Sequence, residues 1–552
     1  MSALDPVTLQ IIWNNLRSIA DECFVSLMRS AFSTNIKERH DHSTAITDAT
    51  GRLIAQAELA LPIHIASMTG LMQALLERYG DDINEGDLFV ANDPHVAGGT
   101  HLPDINMAMP VFHDGELIGF ACNIAHHADV GGAARGSMSG GLFEIWQEGL
   151  RIPVVKLMSK GELNNEIFDI LLLNMRLREE RKGDLNAQIA ACRLGVSRMG
   201  ELLARYSAGV IERSFDEIIA RSCARLQLAI ADLPDGVFEF EDVMDDDGIA
   251  AVDIAIRLCI TKSGQHILFD FAGTDDQVPG NINLTFNAVQ SAVFYALKAL
   301  LDPDLPNNQG VFEAVEIKAP LGSIVHCQPP APVALRANTC QRVVDVVFGA
   351  LADALPDRVI AAANGSNTSA VFAGTDPVSG TGYVYLETLG GGMGGRARKD
   401  GKDGVQVNIT NTSNLPVEAI ETEYPLRVLE YALVEDSGGA GRQRGGMGLR
   451  RVVQSVGHTC EFSGVGERFS HQPWGVFGGK PGKCGRFLKL MEDGSHVRLA
   501  NKASNVPLEP AQAIIMETPG AGGYGPPEER EQEAIEEDRR SGKFSLGFFN
   551  HI

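Results

Sequence analysis

The 552 residues predict an α+β, multidomain protein with mixed and antiparallel sheets and packed helices. Three observations carry that reading. The chain exceeds what one hydrophobic core accommodates and should divide into several domains at ~150 residues each. Apolar runs of strand length, one of them alternating strictly, are separated by Gly/Asp turns through its first and middle parts. Between them lie stretches whose apolar residues recur at three- and four-residue steps, the spacing of one helix face.

Asp5 is placed to cap a first helix and Pro6 suits its first turn, while Leu9, Ile12, Leu16, Ile19, Cys23 and Leu27 form one apolar stripe. From 43 to about 125, the runs 44–47, 87–90 and 118–122 read as short strands, with one helical stretch near 67–79. Two helices follow at about 185–206 and 211–231. These elements make up an N-terminal domain over residues 1–234. A β-rich domain over 235–332 is announced by Val252, Ile254, Ile256, Leu258 and Ile260, which alternate before a turn at 262–265 and a returning run at 267–271. That is a hairpin with one buried face. A helix around 288–301 and a Pro-rich stretch at 328–332 complete this domain. The third domain, 333–526, opens with a helix at about 343–355 and continues as glycine-punctuated strands. The remaining 527–552 form a docking tail: a charged helix at 528–540, then Phe544, Leu546, Phe548 and Phe549, to be clamped on its own domain or on a partner subunit.

Lys plus Arg number 47 against 71 Asp plus Glu, a formal charge of −24, and no basic run is long enough to track a phosphate backbone. Nucleic acid is therefore not an expected partner. No stretch of about 18 uncharged apolar residues occurs and the start has neither a basic nor an apolar leader region, so the expectation is a cytoplasmic protein without a membrane partner. The nine cysteines include no C-x-x-C pair and fit reduced thiols. Cys340, the one considered as a nucleophile, has no identifiable histidine partner and reads as structural.

The chemistry concentrates in Gly98-Gly99-Thr100-His101-Leu102-Pro103-Asp104 and, 22 residues after Asp104, in a second cluster with His126, His127, Asp129, Gly131 and Gly132. His101, Asp104 and His126 supply two imidazoles and a carboxylate, good ligands for a divalent cation, beside glycines that let backbone approach closely. A third cluster, Arg39-His40-Asp41-His42, lies upstream. The alternative for all of these is loop histidines bonded to backbone carbonyls, and the residues alone leave the two readings level. The loop Gly390-Gly391-Gly392-Met393-Gly394-Gly395-Arg396 lacks the Lys-Ser/Thr ending of a P-loop and is followed by charged turns rather than an apolar-faced helix. It reads as tight turns and close backbone approach, or as sheet-edge turns needing positive φ. Glycines at 437–441 and 444–448 read the same way.

Taken together, the segments Asn35-Ile36-Lys37-Glu38-Arg39-His40-Asp41, Pro62-Ile63-His64-Ile65, Gly99-Thr100-His101-Leu102-Pro103-Asp104, Gln147-Glu148-Gly149-Leu150-Arg151, Asp270-Phe271-Ala272-Gly273-Thr274 and Gly522-Gly523-Tyr524-Gly525-Pro526 resemble the hydantoinase B/oxoprolinase family from end to end. The resemblance implies a divalent metal, Zn²⁺ or Mn²⁺, on His101, Asp104 and His126. It makes Asp41 the candidate fourth ligand, with His40 or His42 as rivals, and His127 and Asp129 candidates for general base or proton relay. It also implies a hetero-oligomer. A hydantoinase A-type ATPase subunit would spend ATP to phosphorylate a small cyclic amide, and water activated at the metal would open the ring. Hydantoins, 5-oxoproline and related lactams are the expected substrates. The alternative within the family is a subunit of an acetone/acetophenone-type carboxylase; readings outside it are a non-catalytic scaffold and a non-haem iron oxygenase.

Overall fold

The computed structural model describes residues 4–551. Its N-terminal part is built on a seven-stranded sheet in the order Leu53–Gln56, His42–Asp48, Glu116–His126, Asp104–His113, Leu88–Ala91, Val155–Ser159, Glu162–Leu163. Every neighbouring pair is antiparallel. Alternation sorts the side chains of this sheet onto two helix-covered faces. Ile46, Val111 and Ala121 pack with Leu9, Ile12, Leu16 and Ile19 of the helix Pro6–Ser30 and with Met199 and Leu202 of Arg178–Arg205. Ala45, Ala108, Phe120, Cys122 and Ile124 face the other way, onto Met68, Leu71, Met72 and Leu75 of the helix Ser67–Tyr79. The first helix starts as its sequence predicts, with the Asp5 carboxylate accepting from the Thr8 N–H at 2.9 Å and Pro6 in the first turn.

The strand expected at 118–122 runs on as Glu116–His126, and that extension decides where the histidines point. Its register with Asp104–His113 places Asp104 directly opposite His126.

A second sheet has the order Glu316–Lys318, His266–Asp270, Val252–Ser263, Gly236–Asp246. It is mixed, because the first pair is parallel and the others antiparallel. Ile254, Ile256, Leu258 and Ile260 share one core with the helices Ala208–Ala231, Phe286–Leu301 and Arg336–Ala350. The last of these begins seven residues before the 343 expected for it and packs within the second core. A cut between residues 332 and 333 therefore divides packed residues. The reason is that all but one of the helix's residues are buried, its polar ones included, which removes the apolar stripe by which a sequence announces a helix.

The C-terminal part stacks two antiparallel sheets, Gly382–Thr388, Ser369–Thr375, Cys460–Val465, Lys502–Leu508 on Leu426–Leu433, Leu449–Ser455, Ala513–Glu517, Arg486–Leu490, His496–Arg498. Phe372, Tyr385, Phe462, Phe487, Val453 and Met516 fill the space between. The glycine-rich loops pack backbone on backbone beside this sandwich. A Cβ on Gly394 would sit 1.9 Å from the Ala361 carbonyl oxygen, and one on Gly392 would sit 2.2 Å from that of Gly446. None of the glycines at 390–395 has a positive φ, so close approach, not a left-handed turn, is what requires them.

The tail docks on this chain. Its helix is Gln532–Ser541, shorter than expected and preceded by a 3-10 turn, Pro527–Glu529. Arg530 donates to both oxygens of Asp400 at 2.8 Å and to Asp538 at 2.7 Å, Arg444 reaches Asp538 at 3.1 Å, and Lys543 reaches Asp403 at 2.7 Å. Phe544 is buried beneath the Arg444 guanidinium, whereas Leu546 is exposed. Ion pairs as well as the buried Phe544 thus tie the tail to the loops beside the sandwich.

Candidate metal centre

The sheet edge where Glu116–His126 ends and Asp104–His113 begins brings three ligand types together. His101, Asp104 and His126 offer ligand atoms all within 4.8 Å of one another, and all three side chains are buried. His101 is oriented by its Nδ1–H, which donates to the Ala334 carbonyl at 3.0 Å and so leaves the Nε2 lone pair facing Asp104. Nε2 lies 3.2 Å from Asp104 Oδ1, yet neither atom has a hydrogen-bond partner. Two buried electron-pair donors abut with no proton between them, an arrangement that a shared cation satisfies.

The other oxygen of the same carboxylate is fully engaged. Asp104 Oδ2 accepts from Thr100 Oγ1 at 2.9 Å and from Arg336 Nη2 at 2.6 Å, while Arg336 Nε donates to Thr100 Oγ1 at 2.9 Å. His64 Nε2 stands 3.6 Å from Oδ2, and its Nδ1 bonds Ser43 Oγ at 2.9 Å. His126 takes the Asn35 amide on Nδ1 at 3.0 Å and on its carbonyl at 2.7 Å. Arg39 fixes that amide by donating to its oxygen at 2.5 Å.

The electrostatics suit ligation. Burial pushes the His101 and His126 pKa values down, with Arg336 adding to the effect on both, so each imidazole is neutral with a lone pair to give. For Asp104 burial acts upward, but the neighbouring His101, Arg336 and His64 together outweigh it and hold the carboxyl well below the usual range.

Asp41 is buried close by: its carbonyl accepts the His126 N–H at 3.0 Å, and its side chain lines a cavity with His64, His126 and Arg336. Its carboxylate stands outside the 4.8 Å group. Burial raises its pKa against the pull of Arg39 and His64. The rivals turn away. His42 stacks on Phe24 at 3.9 Å and bonds the Phe24 carbonyl, and burial takes its pKa to about 3. His40 presents its ring edge-on to Phe24 at 6.5 Å from a left-handed backbone, φ 59°.

His127 and Asp129 are not brought to this centre. His127 is the first residue beyond the strand Glu116–His126, and its Nε2–H donates to Gln188 Oε1 of the helix Arg178–Arg205 at 2.9 Å. Asp129 organises its own loop, accepting the Gly131 and Gly136 N–H groups at 2.8 Å each and pairing with Arg176 at 3.1 Å. Cys340 is buried and its thiol is pushed up to about 12 by burial, in keeping with a structural role.

Sequence reasoning missed Arg336, Thr100, His64 and Asn35 as members of the site. Arg336 is 232 residues from the carboxylate it holds, and only the fold joins them. Thr100 had a local signal, since it lies four residues before Asp104.

The cavity bordered by Asp41, His64, His126 and Arg336 is lined on its other sides by Leu61, Ile63, Met138, Leu386 and Ile409, with Asn367, Thr388 and Thr410 as polar points. His101, Asp104 and His126 thus form a compact buried donor set beside a cavity whose lining mixes apolar and polar side chains.

The hydantoinase B/oxoprolinase family profile matches residues 5–527. The chain is 34% identical to 5-oxoprolinase 1 of Arabidopsis thaliana over 94% of this chain and 42% of that protein. It superposes on the crystal structure of ATP-dependent caprolactamase from Pseudomonas jessenii with a TM-score of 0.93 at 28% identity, covering 99% of this chain and 95% of the other. The nucleotide-free structure of acetone carboxylase shares the fold, with a TM-score of 0.90 at 18% identity over 99% and 79%. The chain belongs to the hydantoinase B/oxoprolinase family.

Proposed function

We propose that this chain is the ring-opening subunit of an ATP-dependent hydrolase of cyclic amides, working beside a hydantoinase A-type ATPase subunit in a hetero-oligomer. The observation that carries it is the pair of unpartnered, abutting donors, His101 Nε2 and Asp104 Oδ1, grouped with His126, whose side chain borders the cavity. His101, Asp104 and His126 would hold the ion, with Asp41 the further carboxylate on the cavity wall, and imidazole with carboxylate suits Zn²⁺ or Mn²⁺. When bound, such an ion supplies Lewis acidity and makes water nucleophilic near neutral pH.

The chain's own residues do the rest. Arg336 and Thr100 keep Asp104 ionised and fixed, the Ala334 carbonyl sets the His101 tautomer, and Asn35 holds the His126 ring. Leu61, Ile63, Met138 and Ile409 exclude bulk water from the ring of the substrate. The relatives named for caprolactam and 5-oxoproline support a lactam or hydantoin as substrate, and ATP is spent on the partner.

The test is to purify the chain with its co-expressed ATPase subunit, measure metal by elemental analysis, and assay ATP-dependent opening of caprolactam, 5-oxoproline and hydantoins beside acetone plus bicarbonate. Lactam or hydantoin opening that disappears in His101→Ala supports the proposal. Carboxylation of acetone without ring opening places the chain in the other branch, and full activity of His101→Ala refutes the metal centre.

A further inference from the structure

The segment Gln147-Glu148-Gly149-Leu150-Arg151, one of the stretches that carry the family resemblance, supplies no candidate ligand and does not line the cavity. It meets His101 all the same, by two separate routes. The first runs through the imidazole. Glu148 is fully buried, and its Oε1 accepts the Ala334 N–H at 2.7 Å. The Ala334 carbonyl in turn accepts the His101 Nδ1–H at 3.0 Å, and the next N–H, of Leu335, is held by the Asn281 carbonyl at 2.8 Å. Both planar peptide units that flank the Ala334 Cα are thereby fixed, the earlier one by Glu148, so the direction of the carbonyl depends on that side chain. The Ile145 N–H donates to the Pro330 carbonyl at 3.2 Å, which lays residues 145–148 along 330–334.

The second route runs through the backbone. Asn92 is fully buried, and its amide nitrogen donates to the Leu102 carbonyl at 2.7 Å and to the Leu150 carbonyl at 2.9 Å, while its oxygen accepts the Ile152 N–H at 2.7 Å. Leu102 follows His101 in the chain, so this amide ties the neighbour of the ligand to the same segment. Arg151 adds an anchor, its Nε donating to Asp93 Oδ2 at 2.5 Å. Asp104 has its own supports in Arg336 and Thr100, and His126 has Asn35, itself fixed by Arg39. His101 has this one.

We infer that residues 147–151, with Asn92, are the brace of His101, and that Glu148 is a positioning residue that acts through Ala334 to keep Nε2 aimed at Asp104. The use of that aim in holding a metal rests on the proposed hydrolase reading. The aim itself depends on the brace alone.

Two readouts on the full chain test it. One is Co²⁺ binding by equilibrium dialysis, with the visible absorption bands of the loaded protein. The other is imidazole nitrogen NMR of histidine-labelled, metal-free protein, in which the His101 signals are assigned by their absence from His101→Ala. Glu148→Ala should weaken Co²⁺ binding by about ten-fold, as for loss of an outer hydrogen-bond partner, shift the cobalt bands, and populate a second His101 tautomer. Asn92→Ala should weaken binding and shift the bands in the same way. Burial pushes the Glu148 carboxyl up to about 8, so near neutral pH it is mostly uncharged and glutamine copies its shape and its acceptor. Glu148→Gln should therefore return binding, bands and tautomer nearly to those of the parent. Asn308→Ala is the destabilised control: it removes a buried side chain that joins the helices Gln309–Glu313 and Ala208–Ala231, and it should leave bands and tautomer unchanged.

The brace is overturned if Glu148→Ala and Asn92→Ala both keep the parent's affinity, bands and tautomer, or if Glu148→Gln is as impaired as Glu148→Ala. Should Glu148→Ala fail to fold, Asn92→Ala decides alone. A parent chain with no His101-dependent cobalt site, but with a His101 tautomer governed by Glu148, keeps the brace and rejects the metal centre. A His101-dependent cobalt site indifferent to Glu148 and Asn92 does the reverse.

Discussion

Replacing Asp104 by alanine should destabilise the metal-free protein much more than replacing His101, although both are candidate ligands. Arg336 is 3% exposed and its Nη2 lies 2.6 Å from Asp104 Oδ2, so Asp104→Ala strands a buried cation whose remaining partner is the Thr100 hydroxyl at 2.9 Å. Breaking one side of a buried ion pair costs about 3–5 kcal/mol. His101→Ala removes one hydrogen bond, to the Ala334 carbonyl, and leaves no charge unpaired, for about 1–2 kcal/mol. The double variant Asp104→Ala/Arg336→Met removes both charges and should regain most of the loss, because a pair taken away whole leaves nothing stranded. The assay is urea unfolding of EDTA-treated protein followed by far-UV circular dichroism, comparing the first transition because a multidomain chain need not unfold in one step. The carboxyl of Asp104 is depressed in the fold, so its contribution is fully present above its unfolded pKa near 3.8 and is lost only as pH falls through the lower folded value. The deficit of Asp104→Ala should therefore be flat from about pH 5 to 8. Equal stabilities of Asp104→Ala and His101→Ala, or no recovery in the double variant, would refute the reasoning.

Alanine at His101, Asp104 or His126 should each strip most of the bound metal, whereas Asn35→Ala, which loses only the amide holding the His126 ring, should weaken it by about 10–100-fold; equilibrium dialysis reads both. Glu148 is buried with Oε2 unpartnered, and burial, against the Ala334 and Val333 N–H groups, raises its pKa to about 8. The fold therefore keeps it neutral, and stability is lost as pH rises from the unfolded value near 4.5 through the folded one, so Glu148→Gln should raise the melting temperature at pH above about 8 and leave it nearly unchanged near pH 5. Gly394→Ala, whose Cβ would meet a carbonyl oxygen at 1.9 Å, should prevent the C-terminal part from folding, while Gly457→Ala, at φ +71° with open space around it, should cost about 1 kcal/mol; soluble yield and thermal melting separate them. Arg530→Ala should expose the tail to limited proteolysis and lower thermal stability without loss of metal, since Arg530 joins Asp538 of the tail helix to Asp400 of the C-terminal part, away from the candidate centre.

The sequence held the candidate ligands but not the surroundings that orient them. The H-x-x-D spacing and the later histidine were legible because His101, Asp104 and His126 fall on adjoining stretches of one β-hairpin, where local spacing and pairing go together. Reading the strand as ending at 122 hid that it runs on to His126 and stops there, and so let His127, which bonds Gln188 instead, pass for a neighbour of the centre. Arg336 and Ala334 were beyond local inference, since nothing in a one-dimensional pattern reports a hydrogen bond across 232 or 233 residues. The first helix and the 252–271 hairpin were readable because capping, periodicity and turn residues are local signals.

The segment Ala334–Arg336 supplies both the carbonyl that orients His101 and the guanidinium that balances Asp104. The centre is therefore unfinished until two distant parts of the chain have closed on each other. A fragment ending near residue 234 would own every candidate ligand and still present His101 with its tautomer unset and Asp104 without its counter-ion. Capture of a metal by the proposed centre would then follow the docking of the second core, not the formation of the first sheet, and tight uptake would report that the two parts have assembled.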